Sequence, residues 1–190
     1  MVEDKDNKKY YNNTITMKKL INIFLIALAL GFTACNNDDD DPIMSNQDFV
    51  TRASSSNLFE IRAGEIAVAR GENPDVKAFG QHMIDEHTLA GAELEDLAEE
   101  NGWSVQTEPF PADEQELDNL EDLTGEEFDE RFLRVMVISH ENTYNLFDLA
   151  SGERGVPNEA LRNWARGKLP TLEMHFDEAL ELYQELNPNQ

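Results

Sequence analysis

From residue 46 onward, apolar side chains recur at alternating steps of three and four, the period of an amphipathic helix rather than a strand. Four long segments share this pattern. The first spans 46–70, with Ser45 placed to cap it and Gly71 to end it. Asn73-Pro74-Asp75 restarts the chain with a capping side chain, a proline at the first helical position and an acid in the first turn. The second segment then reaches about Glu100 and stops at Asn101-Gly102. Residues 103–123 contain Pro109 and Pro111 and predict a long connection, with a short helix over Leu117–Leu123. Thr124 and Glu127 have capping-box spacing for a third helix that runs to Ala150 and closes at Gly152 or Gly155. Pro157 starts the fourth, which extends to about Leu186 and is expected to kink at Pro170.

Four helices of roughly 25–30 residues, joined short–long–short, predict an all-α fold. The arrangement expected is an antiparallel four-helix bundle, up-down-up-down or ferritin-like, with the long connection between its second and third helices. The chain has no Gly-rich phosphate loop, nucleophile elbow, cysteine pair or internal repeat.

The core-facing line of each helix follows from the same spacing. On the first it is Val50, Ala53, Asn57, Glu60, Gly64 and Ala67. On the second it is Val76, Gly80, Met83, His87, Ala90, Leu94 and Leu97. On the third it is Leu133, Met136, His140, Thr143, Phe147 and Ala150. On the fourth it is Leu161, Ala165, Lys168, Leu172, His175, Ala179, Leu182 and Leu186. Three of the four histidines fall on core lines, one per helix, and the first helix offers Glu60 instead. His82 lies off its line and reads as a surface residue. Counted from the connecting turns, Glu60 and His87 differ in height by about 4–5 Å, and His140 and His175 by about 9–10 Å.

A buried, unpaired imidazole or carboxylate costs several kcal/mol, so these groups have reason to meet. Three imidazoles and a carboxylate suit a divalent transition metal: zinc, iron, copper or nickel. Glu60, His87, His140 and His175 are the candidate ligands. Asn57, Glu86, Glu141 and Glu178 stand close enough in sequence to orient the rings or complete the coordination. The same residues also fit a buried polar network with no metal, in which Glu60 bonds one or two of the rings. EF-hand spacing is absent, so calcium has little support.

Ahead of the helices, Met17-Lys18-Lys19 precedes a 13-residue apolar run, 20–32. That is too short to span a bilayer as a helix, which takes about 20 residues. A basic start, a short apolar stretch and small residues before a cut describe a secretory signal. The chain's only cysteine, Cys35, follows at once and resembles the lipidated cysteine of a bacterial lipobox. Residues 1–16 fit no signal design, so the signal is expected to begin at Met17. Asp38–Asp41 then form a solvated tether of like charges. The expected organisation is a signal region over 1–34, a lipidated cysteine and tether over 35–45, and a helical domain over 46–188. The expected location is the cell envelope, with the lipid on Cys35 in the outer membrane and the domain on its periplasmic or outer face.

Charge narrows the partners. Removing residues 1–34 takes away five of 15 basic and three of 39 acidic residues, leaving a net charge of −26. Such a surface repels nucleic acid and favours cations or a basic protein partner. The acidic stretches Glu93–Glu100 and Asp113–Asp122 read as solvated faces. A single cysteine permits no intrachain disulfide.

Three stretches resemble a bacterial family, domain of unknown function 4142: "FEIRAGEIAVARGENPDVKAFGQHMIDEHTLAGAELEDLA", "FDERFLRVMVISHENTYNLFDLAS" and "LRNWARGKLPTLEMHFDEALEL". The resemblance covers about residues 46–186, and its most specific pieces end at His87, His140 and His175. It implies a ferritin-like fold in an exported or lipid-anchored protein, and it implies no activity. Di-iron bundles use Glu-x-x-His on two helices, whereas His175 here precedes Glu178, so ferroxidase chemistry has no motif. Two functions stay open: metal or small-ligand binding at the four residues, or a non-catalytic interaction lipoprotein whose acidic face binds a partner. An enzyme is the weakest reading, since no activated nucleophile is visible.

Overall fold

Capping side chains set most of the helix starts. The computed structural model describes residues 42–188, and among these there are five helices and no strand. They are α1 (Asn46–Arg70), α2 (Pro74–Asn101), α3 (Pro111–Glu121), α4 (Gly125–Ser151) and α5 (Glu159–Leu186). The signal region, Cys35 and Asp38–Asp41 lie outside the described residues. Ser45 Oγ accepts from the Asp48 amide at 3.0 Å, and Asn73 Oδ1 from the Asp75 amide at 2.8 Å. Gly102 ends α2 at φ 71°, a conformation that favours glycine.

Three boundaries differ from the sequence expectation. The short helix begins six residues earlier, because Pro111 takes its first turn while Ser55 Oγ accepts from the Phe110 amide at 2.9 Å. Thr124 precedes α4 but makes no capping bond; Gly125 sits at φ 66°, outside the helical geometry a capping box needs. The last helix is capped by Asn158, whose Oδ1 accepts from the Leu161 amide at 2.9 Å, so Pro157 lies outside it. That helix continues through Pro170 as one element.

α1 and α2 form an antiparallel hairpin at very close range. A Cβ on Gly64 would come within 2.6 Å of the Gly80 carbonyl oxygen, and one on Gly80 within 2.8 Å of Ala67 Cβ. The hairpin turn is pinned from α4: buried Asp129 accepts from the amides of Glu72 at 3.0 Å and Asn73 at 2.7 Å. α4 and α5 pack as a second antiparallel pair, α1 touches α4, and α2 touches α5. α3 lies on α1 and α4. Its acids are not simply solvated: Glu114 pairs with Arg62, and Glu116 holds Arg131 through bonds of 2.8 and 2.7 Å. Phe110 is 38% exposed, whereas Trp103 packs on the apolar core.

The apolar interior divides into two clusters. One gathers Phe59, Phe79, Met83, Phe128, Phe132 and Met136. The other gathers Phe49, Val50, Leu94, Phe147, Leu161 and Ala165. Between them, at mid-length, the helices carry polar side chains.

Candidate functional site

The interruption is made of histidines. His87 on α2, His140 on α4 and His175 on α5 are all buried. Their ring centroids are 5.7 Å apart for His87–His140, 5.4 Å for His87–His175 and 5.3 Å for His140–His175. Taking one nitrogen from each, the three candidate ligand atoms all lie within 4.8 Å of one another. The height offset counted for His140 and His175 is not there. Residues 152–158 are not helical and Val156 bonds back to Ala150, so counting them at helical rise exaggerated it.

Local bonds fix two of the rings. His140 Nδ1 donates to the Met136 carbonyl at 2.9 Å, which leaves Nε2 as a lone pair. His87 Nδ1 lies 3.2 Å from Asn57 Oδ1, which likewise assigns the proton to Nδ1 and the lone pair to Nε2. His175 has no partner at either nitrogen. Among the described residues, the buried side-chain nitrogens and oxygens without a hydrogen-bond partner are Glu60 Oε2, His87 Nε2, His140 Nε2 and both His175 nitrogens.

Burial sets the protonation. It pushes His87 well below the ordinary imidazole range, helped by the neighbouring His140 and His175. It pushes His175 down to about 3, again with help from His140 and His82. His87 and His175 are therefore neutral at pH 7, the form that binds metal. Glu60 moves the other way: burial raises its carboxyl, against the opposing pull of His140 and the Ser139 hydrogen bond. Its Oε1 accepts from the Ser139 hydroxyl and lies 3.9 Å from His140 Nδ1.

The family model described as "Domain of unknown function (DUF4142)" matches residues 34–182. The chain belongs to this family. No curated protein and no solved structure matches it.

The motifs of this DUF4142 chain divide into scaffold and site. In the stretch ending at His87, Gly80 permits the α1–α2 approach that sets His87 beside Asn57. In F-D-x-x-F, Phe128 and Phe132 stack at 5.8 Å in the core, and Asp129 pins the hairpin turn. In the Ser139-His140 pair, Ser139 holds Glu60 while His140 joins the trio.

The remaining expected residues scatter. Glu86 lines the mouth of a cavity beside His87. Glu178 does not reach His175; it lies 3.1 Å from His82 Nδ1. Glu141 is exposed, on a groove with Tyr144 and Phe176 away from the trio. His82 is the residue sequence reasoning missed. Its side chain is 34% exposed, but its ring meets His175 edge-on at 5.0 Å. Helical spacing gave no signal for it: five residues turn His82 about 140° away from His87, and what brings its ring to His175 is the packing of α5 against α2.

Proposed function

We propose that this domain is a ferritin-like four-helix bundle, tethered to the cell envelope by a lipid on Cys35, that binds one divalent transition metal ion at His87, His140 and His175. One observation carries the metal reading: three buried imidazoles from three helices present unpartnered nitrogens to one another. A polar network without a metal would bond these atoms among themselves, and they are not so bonded. A cation accepts all three lone pairs at once. Three imidazoles with an open fourth position suit zinc, and they also suit copper, iron or nickel. Tetrahedral bonds of about 2.0–2.1 Å place ligand nitrogens roughly 3.3 Å apart. Ring rotations on the order of an ångström close the observed spread.

The bundle reading rests on the two antiparallel helix pairs and the α1–α4 and α2–α5 contacts that join them. The envelope reading rests on the basic-then-apolar run, Cys35 and the aspartates after it. The test is elemental analysis of residues 36–190 purified after growth with added zinc, copper, iron, nickel and cobalt. The wild-type domain should carry about one transition metal ion per chain, and the His87→Ala/His140→Ala/His175→Ala triple variant none. Equal metal in both, or none in either, would sink the reading. Labelling of the full chain with radioactive palmitate, lost in Cys35→Ser, tests the anchor separately.

A further inference from the structure

A cavity of about 60 Å³ adjoins the trio, walled by all four long helices. His87, His175 and Glu60 stand at its inner end. Ala53, Ala90, Leu94, Phe147, Trp164 and Leu172 give its sides their apolar area, interrupted by Ser56, Asn57 and Thr143. Its outer rim carries Glu86, Thr171 and Lys168, the last held by Glu93 at 2.5 Å.

We propose that this cavity seats an exogenous ligand of two or three heavy atoms, neutral or singly charged, that takes the open coordination position of the bound metal. The inference rests on the metal reading above and adds the ligand class. Size sets the upper limit. An apolar cavity of about 150 Å³ holds benzene, so one of 60 Å³ has room for only a few heavy atoms. Wall chemistry sets the lower one. Water can bond at the polar inner end, but most of the wall surface is aliphatic and aromatic carbon, which water covers poorly. A short ligand that coordinates at one end and lies along apolar walls at the other matches both. Few convergent polar groups in an apolar pocket are the usual mark of a small-molecule site.

Azide is the probe, and Co(II) the reporting metal, because its visible bands change with coordination. The wild-type domain and two variants, Ala90→Leu and Thr171→Leu, are loaded with Co(II) and titrated with azide. Both substitutions add side-chain bulk to the cavity, one from α2 and one from α5, and leave the three histidines intact. Each protein should bind one Co(II). Azide should shift the bands of the wild type, and the variants should need at least about tenfold more azide for the same shift. Cobalt bound but no azide response in the wild type overturns the ligand proposal and leaves the metal reading standing. So does a response as strong in both variants as in the wild type. A wild type that takes up no cobalt overturns both.

Discussion

His175 is buried and makes no hydrogen bond at either ring nitrogen. An unmet buried polar group costs about 1–3 kcal/mol, while an apolar group of similar shape carries no such cost. His175→Leu should therefore leave the metal-free protein as stable as the wild type at pH 7, or more stable by about 1–3 kcal/mol, while abolishing metal uptake. Chemical denaturation with and without chelator reads this directly. A clear loss of stability in the metal-free variant would favour the structural network instead. The same residues give opposite pH limits. His87 and His175 have folded values below the unfolded imidazole, so the unfolded chain takes protons that the folded one refuses. Their contribution is complete above about pH 6.5 and falls away as pH drops, for His175 toward about 3. Glu60 is raised, so its contribution is complete below the ordinary carboxylate value and declines as pH rises through the folded one. Melting temperature against pH, in chelator, should fall on acidification below pH 6.5. His175→Leu should flatten that acid limb and Glu60→Gln should not.

At the scale of elements, the α1–α2 turn depends on a side chain from α4. Asp129 is buried, and each of its oxygens accepts one backbone amide near the start of α2. Bonds to a charged acceptor contribute about 1.5–3 kcal/mol each, and a carboxylate at a helix N-terminus gains from the helix dipole. Asp129→Ala should cost about 3–5 kcal/mol in urea unfolding. Asp129→Asn keeps one acceptor, faces its amide nitrogen to the other N–H, and should fall between. Near-wild-type stability in Asp129→Ala would show that the turn holds without it. This contact was not legible in the sequence: residue 129 reads as one more acid at the head of an acidic helix. What was legible follows from periodicity. On the core lines, Val76, Met83 and His87, Met136 and His140, and Leu172 and His175 are all buried, while Leu186 at the end of the last line is 38% exposed. Periodicity is a property of each helix alone, so it names the face that turns inward. It does not say what another helix brings there. Glu178 and Glu141 were proposed as partners from nearness in sequence; the first goes to His82 and the second to the surface. The Thr124 box failed for a similar reason, since the spacing is right but Gly125 takes a positive φ.

The whole molecule sets a field across its own centre. With 10 basic residues against 36 acidic ones over residues 35–190, few acids have a partner. Among the described residues, Arg62, Arg131 and Lys168 are engaged in ion pairs with Glu108, Glu114, Glu116 and Glu93, all partly exposed. Such pairs contribute about 0–1 kcal/mol each. Folding draws the remaining acids together, so self-repulsion opposes the compact state. Raising salt from ~0.01 M to ~0.15 M shortens the screening length from about 30 Å to about 8 Å. The metal-free protein should then melt at a higher temperature, because more repulsion than attraction is screened. Metal uptake should respond in the opposite direction. The same negative field concentrates cations around the domain, and neutral His87 and His175 supply no charge of their own. Affinity for Co(II) or zinc should weaken over the salt range in which melting temperature climbs. Titration calorimetry and thermal melts in matched buffers decide the pair. A melting temperature that falls with salt would mean the ion pairs outweigh the repulsion. An affinity that holds steady while melting temperature rises would mean that the field governs folding and does not reach the site.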